Sequence, residues 1–187
     1  MRRHLIIEGC DASGKDTLIK AMFERQVIKD KFTIHDRAST SLGGPVNGLV
    51  GWVTQDLINI YGNERKVRPG SWIYNRHPLV SELIYAPIRE VNRGLSGMFK
   101  DPAWVGSQRR VLATHTILVI CQPPWPIVNK QLTEQGPDAH MPGVYENRRA
   151  IYNGYRNLSW PGMTIRYDRT RSSIDDLVRN LGWHLEA

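Results

Sequence analysis

The sequence predicts one α/β domain built on a parallel sheet, and three observations carry that expectation. Short β-branched, apolar runs alternate along the chain with longer stretches whose apolar residues recur at helical spacing. The chain has 187 residues, the size of one compact core. No internal repeat, low-complexity tract or Pro/Ser linker divides it, so positions 1–187 are expected to fold as one unit. Strands that alternate with helices pair in parallel through right-handed crossovers, and such sheets collect ligands at the carboxyl ends of their strands.

The elements follow in order. His4 to Glu8 is a first apolar strand, and the glycine-rich turn from Gly9 to Gly14 leads into a helix that buries Leu18, Ile19, Met22, Phe23 and Val27. Phe32 to His35 is β-branched and aromatic enough for a second strand, and residues 45–61 carry a helical pattern. Ser71 to Asn75 reads as the third strand, with a helical piece after Pro78. Residues 89–110, with Gly94, Gly97, Pro102 and Gly106, read as a stretch that interrupts the alternation. Residues 136–143, with Gly and Pro at both ends, read as a second. Loops of that length in a small domain are either binding lids or plain surface excursions. Thr116 to Cys121 is the fourth strand, 125–133 and 144–158 are helical, and 163–168 is the fifth strand. The last helix starts at Ser173, where Asp176 stands three residues on in capping-box spacing and Ile174, Leu177, Val178 and Leu181 share one face.

Composition removes several classes of function. Apolar residues at 41% and charged residues at 23% are too core-rich for a disordered chain, and no run reaches the ~20 apolar residues of a membrane helix. The opening residues through Ile7 meet Glu8 before a secretory core develops, so the chain is expected to start near Met1 and to be soluble and cytoplasmic, with no membrane partner. Two cysteines, Cys10 and Cys121, do not make a disulfide scaffold, and the six histidines show no zinc-ligand spacing. A net charge of +7 calls for an anionic partner, either nucleic acid or a small phosphate compound. The absence of a continuous Lys/Arg tract or a nucleic-acid motif favours the small compound.

One motif is specific. Gly9-Cys10-Asp11-Ala12-Ser13-Gly14-Lys15-Asp16-Thr17 fits G-x-x-x-x-G-K between a strand and a helix, the setting in which it cradles phosphates. A loop that wraps a polyanion with backbone N–H groups needs glycine freedom at Gly9 and Gly14, with Asp11, Ala12 and Ser13 supplying the arc between them. The following helix aims its positive end at the same phosphates, and Lys15 adds a point charge. The plainer reading is a glycine-rich turn with an incidental lysine. The residue after the lysine is usually Ser or Thr, whose hydroxyl binds Mg²⁺. Here Asp16 stands there with Thr17 next, and both are candidate metal ligands.

Together with the flanking Ile6-Ile7-Glu8 and Leu18, this segment resembles the thymidylate kinases within the P-loop nucleoside and nucleotide kinases. Further matches are Gly70-Ser71-Trp72-Ile73-Tyr74-Asn75-Arg76-His77 with Ser81 and Tyr85, then Leu118 to Pro124, Gly154-Tyr155, Leu158 and Asp168. The resemblance implies the three-layer P-loop kinase fold: a five-stranded parallel sheet, helices on both faces, and a mobile lid over approximately 130–149. It also implies Mg²⁺-dependent transfer of the γ-phosphoryl of ATP to a deoxynucleotide such as dTMP, in a homodimer. Asp11 then matches the carboxylate near the acceptor sugar, or else stabilises its own turn. Arg76 matches the phosphate-contacting arginine, with a surface salt bridge as the plain alternative. Arg37 occupies a comparable edge and could grip the acceptor phosphate. Tyr85, with Trp52, Tyr61 and Trp72, could stack on the base or belong to the core. Lid cations are Lys130, Arg148 and Arg149, or these line a solvated helix face.

Two departures stand out. Asn75 replaces the family's Asp, and Asp16 could return the missing charge. No arginine occurs between Arg37 and Arg65, and Gln55 and Asp56 stand in that neighbourhood. Alternatives to the nucleotide kinase are a deoxynucleoside kinase of the same fold, a catalytically silent nucleotide-binding module, and a kinase of polynucleotide ends.

Overall fold

A computed structural model describes residues 3–35, 53, 54, 57, 60, 71–93 and 101–185. Five strands, β1 (His4–Glu8), β2 (Phe32–His35), β3 (Ser71–Asn75), β4 (Thr116–Cys121) and β5 (Met163–Tyr167), lie parallel in the order β2-β3-β1-β4-β5. β1 is central, with Leu5 in register with Ile73 on one side and Ile117 on the other. A parallel sheet has both faces covered, so its inner strands must be apolar on both. β1 and β4 satisfy that condition, since every residue in each is buried. Alternate side chains feed two cores.

One core joins Ile6, Tyr74, Leu118 and Ile120 of the sheet to Leu79, Val80 and Tyr85 of α3 (Pro78–Arg93), Leu112 of α4 (Pro102–His115), Val128 and Leu132 of α5 (Trp125–Gln135) and Ile151 and Tyr155 of α6 (Arg148–Arg156). The other joins Leu5, Ile7, Ile73, Ile117 and Val119 to Leu18, Ile19 and Met22 of α1 (Lys15–Phe23), Ile28 of α2 (Gln26–Lys29) and Leu177 and Leu181 of α7 (Ile174–Leu185). Each fully buried aliphatic side chain stabilises the fold by roughly 1.5–3 kcal/mol, which sets the sheet as a rigid base for the loops at its carboxyl edge. Among the described residues no helix is long and apolar enough to cross a membrane.

Three sequence expectations change. The first helix stops at Phe23 instead of running to Val27: Arg25 is extended at φ −85°, ψ 124°, and Val27 lies on α2 with 48% exposure. The stretch 89–110 is not a long loop, because Pro102–His115 is helical. Asp101 accepts a hydrogen bond from the Ala103 N–H at 2.9 Å, and Pro102 in the first turn has no N–H to leave unpaired. That start signal outweighs the ~1 kcal/mol cost of Gly106 in the helix. The helix expected over 144–158 is the shorter α6, reached through turns at residues 142–147. Of the pattern at 45–61, the described Val53, Leu57 and Ile60 are helical and buried at helical spacing. Arg37, Trp52, Gln55, Asp56 and Tyr61 lie outside the described residues.

Candidate phosphate-binding site

The site begins where β1 ends. Gly9 sits at φ 146°, and a Cβ there would lie 2.6 Å from the Cys121 carbonyl oxygen of β4, so only glycine lets the loop leave the sheet at this point. The Ser13 N–H donates to the Cys10 carbonyl at 3.2 Å, and Ala12, at φ 59°, turns the chain through the left-handed region. Gly14, at φ 90°, starts α1 and offers no side chain to cap the first-turn N–H groups of that helix. Lys15 is 4% exposed and curls back to donate from Nζ to the Cys10 carbonyl at 3.1 Å. Burial, and then the neighbouring Arg76 charge, pull its ammonium down to about 8.

β3 delivers the second half of the site. Its last residue is Asn75, and Arg76 follows in the left-handed region at φ 71°, with its N–H donating to the Ile7 carbonyl at 3.0 Å. A bulky residue at such a φ costs ~1–2 kcal/mol, which the guanidinium offsets by forming an ion pair with Asp11 and lying 4.9 Å from the Tyr85 ring. Tyr85 also donates to Asp11, at 3.4 Å. Burial would raise the Asp11 carboxyl, but Arg76 and then Lys15 outweigh it and hold the group below its ordinary range. Beneath this layer Glu8 is fully buried and accepts from the His77 N–H at 2.7 Å and from the Tyr155 hydroxyl of α6 at 2.9 Å. Its carboxyl is raised by burial, with Arg76 opposing.

The two metal-handling departures meet. Asn75 Nδ2 donates to Asp16 Oδ1 at 2.8 Å, while Asn75 Oδ1 is buried without a partner, as is Ser13 Oγ in the loop. Unpaired oxygens of this kind can accept a hydrogen bond from a ligand or ligate a hard cation. Thr17 is exposed on the first turn of α1. Among the described residues no three His, Cys, Asp or Glu side chains cluster where they could hold a metal ion.

The three cations of the 130–149 segment have the following partners. Lys130 is exposed and pairs with Glu134 at 3.9 Å. Arg148 lies 4.3 Å from the centre of the Tyr145 ring and donates to Asn129 Oδ1 at 3.1 Å. Arg149 stacks on Trp125 at 4.6 Å. His140 of this segment reaches the site: its Nδ1 lies 3.7 Å from Asp11 Oδ2 and its ring stacks on Tyr145. Sequence reasoning missed it because a single histidine in a Gly/Pro-rich loop belongs to no motif. It also missed Arg169, one residue beyond Asp168, which donates to Gln131 Oε1 at 2.7 Å and covers Gly14, 3.3 Å from where a Cβ would stand. Trp72 packs on His4 and Tyr74 as part of the sheet's own aromatic cluster, whereas Tyr85 does border Asp11. Asp168 accepts from the Thr170 N–H and hydroxyl and so shapes the turn before α7. A cavity of about 590 Å³ opens beside that turn, lined in part by Gln122, Arg156, Arg166 and Arg171.

No protein-family model matches the sequence, and no curated protein matches it. Solved structures do. The YorR protein of Bacillus subtilis, determined in complex with phosphorylated GDP, matches with a TM-score of 0.64 and 16% identity over 97% of this chain and 95% of that one. A thymidylate kinase from Candida albicans matches with a TM-score of 0.57 and 14% identity over 99% and 92%. At these identities the likeness concerns architecture: the chain has the three-layer α/β fold of the P-loop nucleotide kinases, a five-stranded parallel sheet with helices on both faces.

Proposed function

We propose that this chain is an ATP- and Mg²⁺-dependent (deoxy)nucleoside monophosphate kinase, with a deoxynucleotide such as dTMP as acceptor, working as a homodimer. One observation carries the reading: the buried Lys15 within the Gly9–Gly14 arc faces an Arg76–Asp11 pair at the end of the neighbouring strand. Two cationic groups then stand near the carboxyl end of β1, and moving a phosphoryl group between two anions calls for such charges. The arc's N–H groups and Lys15 would hold the donor phosphates. Arg76, released from part of its contact with Asp11, would bridge the γ-phosphoryl and the acceptor phosphate, aligning the two reacting oxygens.

Asp16, Thr17 and Asn75 would hold Mg²⁺, which when bound neutralises charge on the donor's β and γ groups. The donor's P–O bond breaks as an acceptor phosphate oxygen forms the new one, and that oxygen is already anionic. No general base is called for. This favours a monophosphate over a free nucleoside, because Asp11, the carboxylate nearest Arg76, is held ionised and is a weak proton acceptor. The Asn75 amide cannot replace it.

The test is a coupled assay for ADP release with ATP, Mg²⁺ and a panel of dTMP, other nucleoside monophosphates and free nucleosides. Turnover with monophosphates is expected. Turnover only with nucleosides would replace this reading with the nucleoside kinase, and ATP binding without any turnover would replace it with a silent binding module.

A further inference from the structure

The cavity beside the turn before α7 is lined by three guanidinium groups from three parts of the chain: Arg156 at the end of α6, Arg166 on β5 and Arg171 in the turn. Among the described lining residues Asp168 is the one carboxylate. Its Oδ1 already accepts from the Thr170 N–H and hydroxyl, while Oδ2 lies 3.6 Å from Arg171 Nε. Arg166 finds only neutral acceptors, Gln122 Oε1 at 2.6 Å and the Tyr155 and Leu158 carbonyls at 3.2 and 3.3 Å. Arg156 is exposed and has no hydrogen-bond or ion-pair partner among the described residues. Three like charges around one space, with one carboxylate among them, repel each other unless an anion joins them.

This cavity is separate from the Gly9–Gly14 arc. β5 is the edge strand and stands two places from β1, ~10 Å away at the usual spacing of strands. Arg166 turns to the end of α6, whereas Arg169 turns to α5 and α1, where it donates to Gln131 and covers Gly14. No residue of the arc lines the cavity, and neither does Arg76. Guanidinium forks recognise carboxylates and phosphates alike, so the number of charges decides the class of ligand. A carboxylate neutralises one guanidinium, but an oligophosphate brings several negative charges within reach of all three. A volume of about 590 Å³ is that of a small-ligand site, and the arginines gather round a concavity instead of tracking along a stripe as a nucleic-acid strand requires.

We infer that this cavity is a second anion site, which takes the oligophosphate group of a small molecule on Arg156, Arg166 and Arg171. The site is independent of the kinase reading, because no residue placed on donor, acceptor or metal there lines it. Arg166 also ties down the last carbonyls of α6, so its removal would mix binding with folding. Arg156 and Arg171 are exposed and carry no such duty.

The experiment titrates sodium tripolyphosphate by calorimetry into Lys15→Ala, where the arc is disabled, and into Lys15→Ala with Arg156→Gln and Arg171→Gln added. Melting temperatures are recorded, and the arginine Nε–Hε resonances of the wild-type protein are followed through the same titration. Lys15→Ala should bind one tripolyphosphate, and the added substitutions should weaken it about tenfold or more at an unchanged melting temperature, as for lost charge-assisted hydrogen bonds. In wild type the Arg156, Arg166 and Arg171 resonances should move and saturate together. Sulfate should bind far more weakly. No binding to Lys15→Ala together with unmoved wild-type resonances, binding that the arginine substitutions leave unchanged, or equal affinity for sulfate would each mean a solvated cationic face and overturn the inference. Tighter binding of a single-stranded oligodeoxynucleotide, lost with the same two substitutions, would overturn it in favour of nucleic acid. Occupation of the arc by ATP with Mg²⁺, followed at the Gly14 amide, should be the same with and without Arg156→Gln and Arg171→Gln. A tenfold loss there would make the cavity the far end of the donor site and overturn a second one. A protein that binds tripolyphosphate as expected and transfers no phosphoryl group keeps this inference and loses the kinase reading.

Discussion

The charge on Lys15 depends on what surrounds it. In the free protein it lies beside Arg76 and out of water, which brings its ammonium down to about 8. A polyphosphate arriving on it favours the charged form, so binding must pull a proton back wherever the free lysine has lost it. Below pH 7 the lysine is already charged and ATP affinity should be flat. Above about 8 the free lysine is largely neutral, so affinity should fall as pH rises, and the binding enthalpy should become buffer-dependent through proton uptake. Calorimetry at pH 6.5, 7.5 and 9 in two buffers checks this, with Lys15→Ala as the weak, pH-independent control. Constant affinity up to pH 9 would mean that Lys15 keeps its proton in the free protein or does not meet the phosphates, and Lys15→Ala separates the two. Arg76 belongs to the same scale: its left-handed backbone is legible only in three dimensions, although its place after an apolar strand singles it out in the sequence.

At the scale of elements, α3 and α6 pack so closely that Gly154 has no room for a side chain. A Cβ there would stand 2.9 Å from Ile84 Cγ2. In an open helix, replacing glycine by alanine gains about 1 kcal/mol, but overpacking a tight contact costs about 1–3 kcal/mol, so the clash should win once the side chain is branched. Gly154→Val is expected to destabilise the fold by about 2 kcal/mol, read as a lower denaturation midpoint at unchanged slope. A midpoint equal to wild type would show that Ile84 yields without cost. The same helix carries Tyr155, whose hydroxyl reaches Glu8 under the candidate site, so α6 is tied to the strand that leads into the Gly9–Gly14 turn. Neither contact is visible in the one-dimensional pattern, which shows only a Gly-Tyr pair within a helical stretch.

At the scale of the molecule, the two cores on opposite faces of the sheet hold the strand ends that carry the site, and a ligand bound across those ends should stabilise the whole fold. ATP with Mg²⁺ at about one hundred times its dissociation constant should add about 2.7 kcal/mol, measurable as a higher melting temperature that grows with nucleotide concentration. Lys15→Ala should lose most of that increment. A wild-type melting curve that ignores ATP would remove the basis for placing the triphosphate in the Gly9–Gly14 arc.

The parallel sheet, its five strands and the glycine turn between β1 and α1 were legible from the sequence because local rules govern them. An apolar strand buried on both sides must be a continuous run such as Leu5-Ile6-Ile7, and a phosphate arc needs Gly9 and Gly14 at a fixed spacing before a helix. The helix at Pro102–His115 was legible too, through its Asp101-Pro102 start, but the glycines around it obscured the signal. Tertiary structure alone decided the partners: Asn75 with Asp16, Glu8 with Tyr155, and His140 rather than Arg148 or Arg149 at Asp11. Those pairs join positions 59 to 147 residues apart, and the direction of a lid side chain depends on which aromatic ring it finds to lie on, here Tyr145 for Arg148 and Trp125 for Arg149. Spacing along a chain records neither.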